Sequence, residues 1–323
     1  MSYVGRLAPS PTGAQHLGNA RTFLVTWLAC RLAQGRLLLR IEDLDTPRTK
    51  PGAIQQAMDD LRWLGLDWDS DENPSALGTF LLQSERENRY AEVLAQLQEK
   101  NLVYPCTCTR SEVESAASAP HESILDGVVY SGHCSNRNPS DAKGLLDQGI
   151  AFAWRFRFRE GFLSWFDELY GLQRLNAKEL LGDFVVGRSY GVTAYQLAVV
   201  VDDHDSGVNH VVRGNDLIYS TFRQQAIYEA MGWQSPHWLH LPLVVGADGR
   251  RLAKRHGDTR LSRYRETGVS TESLLGELAY SVRLLDSKRK ISARELLSEL
   301  RSNKHWIQQI PTENTVVDLP AVA

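Results

Sequence analysis

The first forty residues constrain the fold most. Residues 3–8 read as a short strand, and Pro9-Ser10-Pro11-Thr12-Gly13 as a loop. Residues 17–34 read as a helix, with Phe23, Leu24, Trp27, Leu28 and Leu32 at helical spacing and Gly35 at its end. Residues 36–41, RLLLRI, are apolar enough for a parallel strand covered on both faces. Strand, glycine-bearing loop, helix, strand makes a βαβ unit and points to an α/β architecture.

That order resembles the opening half of a doubly wound nucleotide-binding sheet. Residues 59–66 and 84–100 read as further helices. From residue 104 to about 138, cysteine, serine and glycine replace helical periodicity, as in an inserted module. Residues 149–159 alternate apolar residues with arginine, a strand pattern. Residues 194–201 and 209–213 read as core strands, 217–231 as a helix, and 241–245 as a short strand before the turn at 246–249. Residues 261–310 read as helical and polar, and the last residues, with Pro311 and Pro320, as a loose tail. The expected division is 1–101 and 181–262 as the two halves of a catalytic domain, 102–180 as an insertion and 263–323 as a helical end.

With 42% hydrophobic and 23% charged residues, the 323-residue chain is excluded from the disordered, collagenous and coiled-coil classes. Its longest apolar run, residues 197–201, is far below the roughly 20 residues of a membrane span. The N-terminus lacks the pattern of a secretory signal, so a cytoplasmic protein without membrane association is expected. A net charge of −3 gives no bulk attraction to nucleic acid but leaves room for a local basic face. Residues 283–304, with seven basic and three acidic side chains, are the candidate.

Four groups of residues suggest chemistry. His16-Leu17-Gly18-Asn19 starts a helix, where N–H groups and the positive dipole end suit a phosphate. Arg250-Arg251-Leu252-Ala253-Lys254-Arg255 follows a glycine turn, where Lys254 could neutralise charge developing on a triphosphate. Arg40-Ile41-Glu42-Asp43-Leu44-Asp45 leaves a strand at the edge where open α/β sheets bind ligands, and Glu42 could hold an ammonium group. Cys106, Cys108 and Cys134 cluster within 29 positions, while Cys30 reads as a small core residue. In a reducing compartment, three thiols plus one further donor, Tyr130 or His133, suit a tetrahedral zinc ion.

In this order the pieces resemble the glutamyl members of the class I aminoacyl-tRNA synthetases. Arg6-Leu7-Ala8-Pro9-Ser10-Pro11-Thr12-Gly13 with His16-Leu17-Gly18-Asn19 is similar to their first signature, Asn19 replacing its usual final His. Residues 40–45 with Arg48, Asp202-Asp203-His204 and residues 212–217 are similar to their core. Arg251-Leu252-Ala253-Lys254-Arg255 resembles a degenerate Lys-Met-Ser-Lys-Ser loop. The short sequence after Lys254 and the cysteine module are similar to the glutamyl-Q tRNA(Asp) synthetases.

The resemblance implies a Rossmann-type catalytic domain with a zinc-bearing insertion. It implies glutamate held by Arg6, Leu7, Ala8, Pro9, Ser10, Glu42, Tyr195 and Arg213, and ATP with Mg²⁺ facing His16, Gly18, Asn19 and Lys254. His16 and Lys254 would be the catalytic pair. Structural zinc would sit on Cys106, Cys108, Tyr130 and Cys134, the family's fourth ligand being tyrosine. The implied reaction activates L-glutamate and esterifies queuosine in tRNA(Asp), performed by a monomer.

Overall fold

The computed structural model describes residues 2–11, 15–44, 49–70, 80–116, 128–189, 191–246 and 259–317. Arg48, Thr12, Gly13, Asp45 and the whole Arg250–Arg255 motif, Lys254 included, lie outside the described residues. The opening unit forms as expected, from β1 (Val4–Leu7), α1 (Leu17–Leu32) and β2 (Arg36–Ile41). β1 and β2 pair in parallel, Val4 opposite Arg36. Even Arg21 and Thr26 of α1 are buried, because α1 is covered by strands on one side and by helices on the other. The left-handed residue after α1 is Gln34, at φ 52°. Gly35 answers a different need: a Cβ there would stand 2.4 Å from the Tyr3 carbonyl oxygen.

α2 (Ala53–Trp63) starts earlier than the sequence pattern indicates, and the 84–100 helix divides into a 3₁₀ turn and α3 (Glu87–Glu99). Between them β3 (Leu81–Leu82) pairs with β2. The central stretch holds β4 (Val103–Cys106), α4 (Arg110–Ala116), α5 (Asp141–Asp147), β5 (Ala153–Phe156), β6 (Leu163–Asp167), β7 (Gly171–Leu175), α6 (Ala177–Leu180) and β8 (Phe184–Arg188). β4, β5 and β8 form an antiparallel sheet.

The second half contributes α7 (Tyr195–Asp205), β9 (His210–Gly214), α8 (Ile218–Met231) and β10 (His237–Leu241). Residues 194–201 were expected as a core strand, and the structure makes them the start of α7. Leu197 to Val201 are all buried where α7 packs on β8, α3 and α8, so no wet face betrays the helical period. β9 and β10 pair in parallel, and β6 continues the sheet beyond β10. β1 lies beside β9 through Asn209, whose backbone N–H donates to the Val4 carbonyl at 3.0 Å and whose Oδ1 accepts from Val4 N at 2.8 Å. The parallel strands therefore run β3-β2-β1, then β9-β10. The order reverses between β1 and β9, where a doubly wound sheet opens a ligand crevice at its carboxyl ends.

β11 (Val244–Val245), α9 (Leu261–Glu266), α10 (Thr271–Ser281), α11 (Ala293–Leu300) and β12 (Thr315–Val316) complete the order. The strand expected at 241–245 is two strands, its first residue closing β10. α10 and α11 lie against α1, and Leu274, Leu278 and Leu296 share one core with Leu24 and Leu28. Residues 282–292 are not helical, a correction to the continuous helical reading. They cross α10 so closely that a Cβ on Gly276 would stand 1.8 Å from the Arg289 carbonyl oxygen. The described part of the tail, residues 311–317, is not loose either: β12 pairs in parallel with β11, Thr315 opposite Val244. Among the described residues no helix is long and apolar enough to cross a membrane.

Candidate active site and metal centre

At the β1/β9 reversal lies a cleft of about 500 Å³. The ends of β1, β2, β9 and β10 and the starts of α1 and α7 bring Arg6, Ala8, Ser10, His16, Gly18, Asn19, Glu42, Tyr195 and Arg213 to its wall. Two expected residues do not reach it. Leu7 is fully buried in the core, and Pro9 acts through its backbone, its carbonyl accepting from Glu42 N at 3.1 Å.

Three arginines stand at this wall or behind it, with different partners: Arg6 and Arg213 line the cleft, and Arg40 lies buried behind Glu42. Arg40 pairs with Asp203 and, at 3.1 Å, with Glu42. Burial opposes its charge, but Asp203, Glu42 and Asp202 more than offset this and hold its pKa well above the ordinary value. Arg6 shares Asp203 at 3.5 Å and donates to the Val212 carbonyl at 3.2 Å. Arg213 is 5% exposed, and among the described residues its side chain donates to neutral acceptors alone: His240 Nε2 at 3.1 Å, Gln224 Oε1 at 2.8 Å and Thr221 Oγ1 at 2.7 Å. Burial lowers its pKa, with no carboxylate in contact among the described residues. A buried guanidinium in that state can receive a ligand carboxylate. Tyr195, 37% exposed, stands at the mouth, and Ser10 Oγ donates to Glu42 Oε2 at 3.5 Å. Asp202 serves packing instead, accepting from Gln83, Arg86 and Tyr90 at 2.7–3.0 Å.

His16 caps α1: its Nδ1 accepts from Gly18 N at 3.1 Å, and Asn19 Oδ1 accepts from His16 N at 3.1 Å. A Cβ on Gly18 would meet the His16 ring at 3.1 Å, so a glycine suits the cap. Leu17 N already donates to the Thr259 carbonyl at 3.2 Å. The helix thus offers its positive end and the imidazole, while those two N–H groups are occupied. Thr259 also places one flank of the segment containing Lys254 on the His16 turn. The other flank, β11, is fastened by β12, and Arg21 donates to both Thr315 Oγ1 and the Pro242 carbonyl.

The cysteines converge as expected. The Sγ atoms of Cys106, Cys108 and Cys134 lie within 4.8 Å of one another, Cys108 and Cys134 at 3.7 Å. Tyr130 Oη lies 3.3 Å from Cys106 Sγ and 3.8 Å from Cys108 Sγ. Ligands about 2.3 Å from a tetrahedral zinc stand about 3.8 Å apart, so this set fits the ion. His133 is exposed and outside that group. Although burial disfavours its thiolate, hydrogen bonds from the Thr107 backbone and Tyr130 hold the Cys134 thiol down at about 6. Burial pushes Cys108 up to about 11. Gly182, at φ 65°, lets the chain pass the Tyr130 backbone, which a Cβ would approach to 2.9 Å. All four cysteines are free, Cys30 in the core.

Thr221, Gln224, His240 and Asp167 escape sequence reasoning. Thr221 and Gln224 are two among several polar residues of α8, and Asp167 and His240 end up together only through the pairing of β6 with β10, so no motif marks the four as a group.

Residues 3–315 match the family described as tRNA synthetases class I (E and Q), catalytic domain. The chain is 47% identical over 331 residues to the glutamyl-Q tRNA(Asp) synthetase of Rhodopirellula baltica, covering 98% of this chain and 97% of that protein. It is 46% identical to the protein of that name from Symbiobacterium thermophilum, covering 91% and 90%. A crystal structure of a glutamate tRNA ligase from Elizabethkingia meningosepticum in complex with its amino acid superposes with TM-score 0.81 at 26% identity, covering 98% of this chain and 67% of that one. With its cleft at the reversal of a doubly wound sheet and these relatives along its length, the chain belongs to the glutamyl and glutaminyl class I tRNA synthetases, a family of ligases.

Proposed function

We propose that this protein activates L-glutamate with ATP, without tRNA, and transfers the glutamyl group to the cyclopentene ring of queuosine in the anticodon of tRNA(Asp). One observation carries the reading: relatives named glutamyl-Q tRNA(Asp) synthetase match nearly the full chain at 46–47% identity.

Arg213, with Arg6 beside it, takes the side-chain carboxylate of glutamate, and Glu42 takes the ammonium group. Ala8, Ser10 and Tyr195 shape the pocket, with Leu7 and Pro9 supporting it from behind. His16, Gly18, Asn19 and Lys254 face ATP, and Mg²⁺ neutralises its phosphate oxygens when bound. An oxygen of the glutamate α-carboxylate attacks the α-phosphorus, and pyrophosphate leaves with the electron pair of the broken bond. A queuosine hydroxyl then attacks the carbonyl of glutamyl-AMP; an ester forms, AMP departs, and the hydroxyl proton leaves with it. No covalent enzyme intermediate is needed, so alignment and charge stabilisation supply the rate. Cys106, Cys108, Tyr130 and Cys134 would hold zinc structurally, since four protein ligands leave no position for substrate. In this reading the protein works as a cytoplasmic monomer.

Two assays test the reading. Glutamate-dependent pyrophosphate exchange without tRNA should proceed, and its absence removes the activation step. Purified protein should glutamylate tRNA(Asp) containing queuosine but not tRNA(Asp) lacking it; charging of a tRNA 3′ end instead overturns the transfer step.

A further inference from the structure

Arg213 is held by a chain of groups that begins outside the cleft. Asp167, at the end of β6, is fully buried and saturated with donors. Its Oδ1 accepts from Leu169 N at 3.0 Å and Tyr170 N at 2.9 Å. Its Oδ2 accepts from His240 N at 3.0 Å and faces His240 Nδ1 at 2.7 Å. A carboxylate so placed cannot rotate, and it can only accept. His240 Nδ1 must therefore carry the proton, and Nε2 must be the acceptor.

The other side of the ring agrees. Arg213 donates from Nε to His240 Nε2 at 3.1 Å, and Thr221 Oγ1 lies 3.0 Å from the same nitrogen. Thr221 accepts from Arg213 Nη2 at 2.7 Å and can spend its own proton on the Leu217 carbonyl at 3.1 Å. Every donor finds an acceptor with His240 neutral and protonated on Nδ1. The opposite tautomer sets an N–H against the Arg213 N–H. Burial among Trp165, Trp238 and Arg213 keeps the imidazole neutral, its pKa down at about 4.

We propose that Asp167 and His240 are positioning residues for Arg213: the β6–β7 hairpin fixes the tautomer of His240, which orients the guanidinium toward the carboxylate of the amino-acid substrate. The role of Arg213 rests on the proposed function above, whereas the tautomer does not. The neutral ring also separates Arg213 from the Asp167 charge, so the guanidinium keeps its positive charge for the ligand.

Pyrophosphate exchange of the full chain, run against glutamate and against ATP, tests the role. His240→Leu puts an apolar side chain of similar bulk in its place and removes both the acceptor for Arg213 and the donor to Asp167. The apparent KM for glutamate should rise about 10- to 100-fold, the effect of stranding a buried charged donor, with little change in the KM for ATP. His240→Gln, whose amide oxygen can occupy the place of Nε2, should recover most of that loss. Equal defects in both variants, or a normal glutamate KM in His240→Leu, overturn the proposal. Arg213→Ala separates the two claims: a normal glutamate KM there removes the carboxylate-receptor reading itself. Selective ¹⁵N-histidine labelling, with the His240 signal assigned by its loss in His240→Gln, gives a reading independent of activity. The wild-type ring should show the Nδ1–H tautomer at neutral pH, and an Nε2–H tautomer overturns the relay even if His240→Leu fails to fold.

Discussion

A buried arginine gains specificity from what it lacks. Arg40 and Arg6 share carboxylates, while Arg213 has three neutral acceptors. Lysine at position 213 would keep the charge but lose the planar paired contact. Arg213→Lys should raise the glutamate KM at least about 10-fold in pyrophosphate exchange, while unfolding by denaturant shifts little. A second residue prediction concerns packing alone. Gly276→Ala puts a methyl group into the Arg289 carbonyl, which is backbone and cannot swing aside. It should cost about 1–3 kcal/mol, read as a lower denaturation midpoint, with the KM values intact if the variant folds.

Elements whose burial agreed with their local pattern were legible: β1, α1 and β2 end within two residues of their expected limits. α7 was not, because a fully enclosed helix hides its period. β12 was missed for the opposite reason. A two-residue strand has no period, and only Val244, some seventy positions away, makes it one. The arginines and Glu42 of the cleft could be read from their motifs, but Asp167 and His240 could not, since only the fold makes them neighbours. The cysteine module was legible from clustering because three thiols rarely gather without chemistry to do. It carries its own test. Burial lifts the Cys108 thiol to about 11, while hydrogen bonds from the Thr107 backbone and Tyr130 hold Cys134 at about 6, and a divalent cation would favour the thiolate at both. The purified chain should contain one zinc; Cys134→Ser should lose it and unfold at lower temperature. Zinc retention by that variant would overturn the ligand set.

At the scale of the whole molecule, buried titratable groups set the response to pH. His210 and His240 are both held down at about 4, chiefly by burial. The unfolded chain takes up their protons near 6.5, before the folded one does, so stability should fall as pH drops from about 6.5 toward 4. Asp60 runs the other way. Burial lifts its pKa to about 6 against the pull of Arg265, 3.7 Å away, so its contribution is lost as pH rises from about 4 to 6. Urea midpoints should rise between pH 4 and about 6.5 as the histidines lose their protons, and Asp60→Asn should steepen that rise below pH 6. The basic segment is also a whole-molecule feature. Lys288 pairs with Glu277 at 3.0 Å and Arg289 with Glu299, but such half-exposed pairs are weak and leave the charge available to phosphate. Replacing Lys288, Arg289 and Lys290 with alanine should weaken tRNA(Asp) binding and flatten its salt dependence by somewhat under one log unit per lost contact. An unchanged slope would make the segment a solubilising surface.

The strap from β12 to β11 has a consequence for how the molecule is made. Arg21 and Thr315 are 294 positions apart, and the pair closes beside the cleft. Synthesis delivers the chain from its N-terminus at about 5–20 residues per second. The α1 turn that caps on His16 therefore emerges at least about 15 seconds before the strand that fastens β11. Until the end of that interval Arg21 lacks one of its two acceptors and β11 lacks its partner strand. Activity in a stalled nascent chain should appear only once residue 315 has cleared the ribosome.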